Sequence, residues 1–311
     1  MKQESMISDR SSPDFIVIGF SKCGSTSLCS MLDAHPEIAM TRQKESNFFL
    51  WNYKQGWEWY RDQFSGSVPQ QLRGDGSVFY SATEWERTAS RRIAAANPRV
   101  KLVWIARHPL KRLESSYREA HHSGHYFHFH APYSIGEYLR QTSAAIDDTR
   151  YWSRLNHYRD LLPDSQFHVL FLEDLMANRE AELGRLFAFL GVSQTLPRSH
   201  DAADWLNKGA DKFYDSRLMR FCRTAPVLRR CVKAAGTDVV NRAGRRIGLR
   251  RPFVGPIHWH DRDRAWAHDA VREDALRLLQ FAGKPTDFWN FSSSHTLMPI
   301  HPRSAPERWP E

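Results

Sequence analysis

The sequence predicts an α/β fold, a P-loop-like parallel sheet flanked by helices. Short apolar, β-branched runs stand at FIVIGF (15–20), VKLVWIAR (100–107) and FHVLFLEDL (167–175), and such runs read as strands buried on both faces. Each is followed by a segment at helical spacing, which is how crossover connections are written. The first run also passes through a loop of small residues, SKCGSTS (21–27), before its helix begins.

Taken in order, residues 1–13 are polar and read as a flexible tail. SLCSMLDAH (27–35) follows the first strand as a helix that stops before Pro36, because the residue preceding a proline is pushed out of helical geometry. The second strand leads through the turn HPLK into RLESSYREAHH (112–122), and the third into REAELGRLFAFLG (179–191). Residues 217–251 are less regular, and scattered Pro226, Gly236, Gly244 and Gly248 argue against one long amphipathic helix there. A last helix is expected at about 262–282, before DFW at 287–289. The reading is one domain over 14–290, with a basic insertion or lid at 217–251 and a C-terminal tail at 291–311. In such sheets ligands sit at the carboxyl ends of the strands, here the loops after Gly19 and Ala106.

Composition narrows the function classes. At 311 residues, 41% apolar and 13% aromatic, the chain can bury a sizeable core and is not a disordered polymer. No apolar run reaches the roughly 18 residues of a membrane span. The N-terminus lacks the apolar centre of a signal peptide, so a cytoplasmic protein is expected. The four cysteines, Cys23, Cys29, Cys222 and Cys231, have no zinc spacing and are too few for a disulfide scaffold. Net charge is +9, yet residues 217–251 hold eleven Lys/Arg against Asp238, a net of +10, so the rest of the chain sums to about −1. Basicity belongs to one segment.

Strand, small-residue loop and helix N-terminus together aim backbone N–H groups at an anion. Gly19 and Gly24 have the glycine spacing of a nucleotide-hydrolase loop. Ser25, however, stands where that loop needs its lysine, and Lys22 comes earlier. A kinase or NTPase would lose its contact to the terminal phosphates. The plain structural alternative is a tight strand-to-helix turn with a solvated lysine.

The loop is not alone. K-x-G-[ST]-[ST]-x-L after a strand resembles the 5′-phosphosulfate loop of sulfotransferases that use 3′-phosphoadenosine 5′-phosphosulfate (PAPS). RHPLKRLESSY (107–117) resembles their 3′-phosphate motif, R-x-P-x-x-R-x-x-S-x-Y, and RQKESNFF (42–49) with GWEWYRDQF (56–64) resembles segments of the heparan sulfate and related carbohydrate branch. EDALRLLQFAGKPTDFW (273–289) resembles the ending of many bacterial members. The resemblance runs from about residue 14 to 290.

It implies transfer of a sulfuryl group from PAPS to an acceptor hydroxyl, with no metal. Cys23, Gly24, Ser25, Thr26 and Ser27 would hold the 5′-phosphate, Lys22 would sit over the sulfuryl and bridging oxygens, and Arg107 and Ser115 would take the 3′-phosphate. By sequence alone Ser116 would serve as well as Ser115. Lys208 and Gly209 would return to that phosphate from a later loop, and Tyr151 or Trp152 would stack on adenine or pack in the core. Glu45 matches the general base, provided that burial near Phe48 and Phe49 raises its affinity for a proton; the alternatives are a salt bridge with Lys44 or Arg42. His121, His122 and His125 are rivals for the base role.

One departure stands out. Where the carbohydrate branch has an acid-Lys-[ST] step, this chain reads Asp75-Gly76-Ser77. The charge must come from Lys44, Arg73 or Lys208, or the acceptor differs from a glycosaminoglycan. The expected acceptor is a hydroxyl of a glycan, anionic glycans included, or of a glycosylated small molecule. An atypical ATP-dependent P-loop kinase and a basic nucleic-acid-binding protein are the competing readings; neither a Walker lysine nor a nucleic-acid module supports them.

Overall fold

The structure, a computed structural model, describes residues 12–194 and 211–290. The chain divides into two compact units, one holding residues 12–108, 147–194 and 271–290 and the other 109–146 and 211–270. In chain order the main elements are β1 (Phe15–Gly19), α1 (Ser25–Asp33), β2 (Ile38–Met40), α2 (Gly56–Asp62), β3 (Leu72–Asp75), α3 (Glu86–Ala96) and β4 (Lys101–Ala106). There follow α4 (Pro109–Ser123), α5 (Ile135–Gln141), α6 (Ser143–Asp147), α7 (Tyr151–Arg159), β5 (Phe167–Phe171), α8 (Leu172–Ala177) and α9 (Arg179–Leu190). The last are β6 (Phe213–Asp215), α10 (Arg217–Thr224), α11 (Pro226–Ala235), α12 (Thr237–Arg246), β7 (Arg250–Pro252) and α13 (Asp261–Phe281).

The first unit carries the expected parallel sheet, in the order β2-β3-β1-β4-β5. Every residue of β1 is buried, which is why its sequence is an unbroken apolar run rather than an alternating one. Phe15 pairs with Gly74 on one side and Lys101 on the other, and the register with β4 slips between Val17 and Gly19. Gly19 is required there, since a Cβ would lie 2.5 Å from the Trp104 ring. Trp104, Phe20 and Phe171 are all but inaccessible, each worth roughly 1.5–3 kcal/mol of burial.

Two strands, β2 and β3, escape the sequence reading; at three and four residues they are too short to show a period. The third apolar run is also shorter than expected. FHVLFLEDL is a strand only to Phe171, and α8 begins at Leu172. Glu173 and Asp174 lie in the first turn of that helix, where acidic side chains meet the positive end of the dipole.

In the second unit the basic segment is folded rather than a loop. It forms three short helices, parted at Pro226 and Gly236, where the sequence predicts interruption. The β6–β7 hairpin brackets them, with Asp215 opposite Arg250. Asp215 is buried between two arginines, its oxygens 2.7 Å from Arg223 Nε and 2.9 Å from Arg250 Nη1. A cavity of about 540 Å³ lies in this unit, walled by Tyr117, His121, Tyr133, Tyr214 and Phe253.

Candidate active site

The loop between β1 and α1 is built from left-handed backbone. Lys22 has φ 68° and Gly24 φ 97°, a conformation that costs a lysine strain and a glycine nothing. A Cβ at Gly24 would also meet Leu172 at 2.9 Å. Gly24 caps α1 with no side-chain hydrogen bond, and the first turn has no acidic residue. The positive end of the helix is thus left to be answered by an external anion. Ser25 and Ser27 are buried, and Thr26 and Lys22 half-buried.

The second strand tip is alongside. β1 and β4 are neighbours, and Phe20 N donates to Ile105 O at 2.7 Å. Tyr151 ties the loops together: its hydroxyl donates to Arg107 O at 2.9 Å and stands 3.5 Å from Cys23 Sγ. Arg107 is half-buried, and among the described residues its guanidinium has no hydrogen-bond or ion-pair partner. His108 N, at the same turn, donates to Glu173 Oε1 at 2.8 Å. Lys22 and Arg107 therefore stand on adjacent strand tips of one sheet.

Tyr151 and Trp152 are core residues. Tyr151 packs on Phe20 and Trp289, and Trp152 on Phe281 with Arg159 over its ring. The packing reading is the one their surroundings support. Ser115 lies on α4 in the second unit, half-buried, while its rival Ser116 is engaged by the Tyr138 hydroxyl at 3.1 Å. Arg112 is buried, donating to Ala145 O at 2.8 Å, and Tyr117 donates to Tyr133 O; both hold the second unit together. Lys208 and Gly209 lie outside the described residues.

Glu45 sits in the loop after β2 and pairs with Lys44, Nζ to Oε1 2.8 Å. Arg42 turns instead to Asp62 at 2.6 Å. The burial expected around Glu45 falls on its neighbours: Phe48 and Phe49 are enclosed, whereas the Glu45 side chain keeps 31% exposure. What fixes the loop is Asp75, fully buried at the end of β3. It accepts from Ser46 (2.7 Å), Ser77 (2.6 Å), Tyr60 (2.9 Å) and Tyr80 (3.1 Å). Ser77 Oγ then accepts from Asn47 N, and Tyr80 Oη from Phe49 N. Burial pushes the Asp75 carboxyl above its ordinary range, while these hydroxyls pull it back.

Gly76 shows why a lysine is missing there. A Cβ at this position would lie 2.7 Å from Cys29 Sγ and 2.9 Å from Lys44 O, so the loop carrying Lys44 and Glu45 rests directly on its backbone. Of the two described candidates for the replacement cation, Lys44 is the one beside Gly76, close enough for its charge to act on Cys29. Arg73 is turned onto the Phe64 ring. Burial drives the Cys29 thiol up to about 12, which leaves it protonated and unreactive.

The histidines of α4 and the turn after it belong to the second unit and to its packing. His121 is buried with Nε2 3.0 Å from Pro132 O, and His122 Nδ1 accepts from Phe213 N. Burial lowers His121 and His125 to about 4. What the sequence reading misses is the positioning network of Asp75 and the tie that Tyr151 makes between the two loops. The one available signal was Asp75 itself, a lone acid closing a short strand.

Comparison with known proteins gives a consistent result. A family profile described as "Sulfotransferase domain" matches residues 12–208. Human heparan sulfate glucosamine 3-O-sulfotransferase 6 is 27% identical over 191 residues, 60% of this chain and 55% of its own length. Human heparan sulfate glucosamine 3-O-sulfotransferase 5 is 30% identical over 190 residues, 58% of this chain and 54% of its own. The chain thus spans about half the length of the curated relatives it matches. Among solved structures, a sulfotransferase from Alicyclobacillus acidocaldarius superposes with TM-score 0.52 at 22% identity, over 76% of this chain and 96% of that one, a likeness of fold.

Proposed function

Because this chain belongs to the sulfotransferase-domain family, we propose that it transfers a sulfuryl group from PAPS to a hydroxyl of a carbohydrate or glycosylated acceptor. The observation that carries the reading is the pair of adjacent strand tips, one leading to a helix N-terminus with no side-chain cap and the other ending in Arg107, whose guanidinium has no partner among the described residues. A nucleotide with phosphates at both its 3′ and 5′ positions needs two such anion sites. Relatives whose names specify heparan sulfate support a glycan acceptor.

In this reading PAPS supplies the sulfuryl group and a phosphate leaving group. The backbone amides from Cys23 to Ser27 hold the 5′-phosphate, assisted by the Thr26 and Ser27 hydroxyls. Lys22, on the left-handed turn of the same loop, supplies positive charge to the departing oxygens. Arg107 forks onto the 3′-phosphate. Glu45 takes the proton from the acceptor hydroxyl, and Lys44, paired to it at 2.8 Å, orients the carboxylate and provides the cation that position 76 does not.

The test is incubation with sulfur-labelled PAPS and a panel of glycan acceptors, alongside titration with 3′,5′-ADP, ATP and a short DNA. Labelled product and thermal stabilisation by 3′,5′-ADP alone are expected. Glu45→Gln should cut kcat by about 10²–10⁴-fold, the usual worth of a positioned base, with 3′,5′-ADP affinity unchanged. Stabilisation by ATP or DNA in place of 3′,5′-ADP would refute the reading. Retained turnover in Glu45→Gln would remove the base role from that residue.

A further inference from the structure

The second unit has a surface that sulfuryl transfer does not use. Large apolar side chains stand in water along the three helices: Leu218 at 57%, Phe221 at 59%, Val227 at 73% and Ile247 at 68% exposure, with Phe127 of the preceding turn at 80%. No described residue of α11 is buried. On α12 and its C-cap, Val239, Ala243 and Ile247 are exposed at i, i+4 and i+8, which is one face of a helix. Arg242 and Arg246 flank that stripe, and Arg217, Arg229, Arg230, Arg245 and Arg251 are exposed around it. Phe127 belongs to the same surface, because the adjacent Tyr126 hydroxyl donates to Asp238 Oδ1 on α12 at 3.0 Å.

Not all the basic residues of the segment take part. Arg223 and Arg250 are consumed by Asp215, and Arg220 lies over the Tyr133 ring at 4.0 Å. This internal anchoring holds α10, and through Arg223 and Asn241 also α12, so their exposed apolar residues are displayed on a fixed frame. Exposed apolar side chains interleaved with exposed arginines on three successive short helices have a specific meaning. Polyanions in water need the cations but not the stripe, and a two-fold pairing of this chain would set the cationic patch against itself. An anionic bilayer satisfies both halves, since acyl chains take the apolar residues and headgroups take the guanidiniums.

We infer that α10–α12, with the turn carrying Phe127, form a peripheral docking surface for anionic phospholipid. Binding lays the helices in the headgroup plane and inserts no span; among the described residues no helix is long and apolar enough to cross a membrane.

The test is co-sedimentation of the full chain with vesicles of equal parts phosphatidylserine and phosphatidylcholine, against phosphatidylcholine alone. Binding should be confined to the anionic vesicles and weaken with salt. The charge-neutral change Leu218→Ser with Phe221→Ser and Ile247→Ser should reduce it roughly tenfold or more, with the melting temperature near wild type. If that triple variant is unstable, Val227→Asp, on a helix none of whose described residues is buried, replaces it with the same expected loss. Absence of vesicle binding would overturn the inference. So would equal binding by the serine variants, binding to heparin that outlasts them without any to vesicles, or a concentration-dependent dimer that they abolish.

Discussion

Asp75 in the first unit and Asp215 in the second are both buried carboxylates closing short strands, yet their partners differ in kind. Asp75 is surrounded by four neutral hydroxyls, and Asp215 by two guanidiniums. The neutral set fixes the loop that carries Glu45, part of the proposed anion-handling site, where added guanidiniums would compete for the ligand. The ionic set cancels part of a dense cationic segment and leaves the remaining arginines for the surface. The means of satisfying a buried charge follows what the surrounding unit has to do.

Removing each carboxylate breaks this comparison most directly. Asp215→Ala strands two buried cations and should cost about 3–5 kcal/mol, read as a lowered midpoint in chemical denaturation. Asp75→Ala orphans hydroxyls instead, at about 1–3 kcal/mol, but kcat should fall with it as the Glu45 loop loosens. Equal turnover in the two variants at matched folded fraction would show that Asp75 does not position the base. Gly76→Ala sharpens the point, since its Cβ must push aside Lys44 O, for a cost of about 1–3 kcal/mol of overpacking and a raised Km or lowered kcat. Ser216→Ala, which removes the acceptor for Met219 N at the start of α10, should cost only about 1 kcal/mol and leave turnover unchanged.

Acid separates the units further. His121 and His125 in the second unit are lowered by burial to about 4, so the unfolded chain, near 6.5, binds protons that the folded one refuses. Their contribution is present above pH 6.5 and is lost as pH falls towards 4. In the first unit His168 behaves likewise, but burial raises Glu86 to about 7. The folded state then takes up a proton earlier than the unfolded one, so this contribution grows as pH falls from 7 towards 4.5. Hydrogen exchange at pH 5 should show greater loss of protection in α4 and β6 than in β1 and β4.

The phosphate loop was legible because everything that builds it is contiguous. A β-branched run, a glycine facing Trp104, a strained lysine and a second glycine fall within ten residues, Ile16 to Ser25. The second strand tip was legible for the same reason. The positioning network was not, since Asp75 meets partners 29 and 15 residues away, Ser46 and Tyr60, and no local pattern encodes that meeting. Strands β2 and β3 stayed hidden because pairing with a neighbour, not periodicity, makes three or four residues a strand. The basic segment showed its interruptions but not its anchor, which depends on Asp215 lying just outside it.

The bare backbone at Gly76 has one more implication. With no side chain there, the base and companion cation of the proposed mechanism, Glu45 and Lys44, share a single stem as consecutive amino acids. A design with lysines on separate strands would degrade in stages when perturbed; this one has a common mode of failure, and any partner or mutation that tilts residues 44 and 45 withdraws both functional groups in the same stroke.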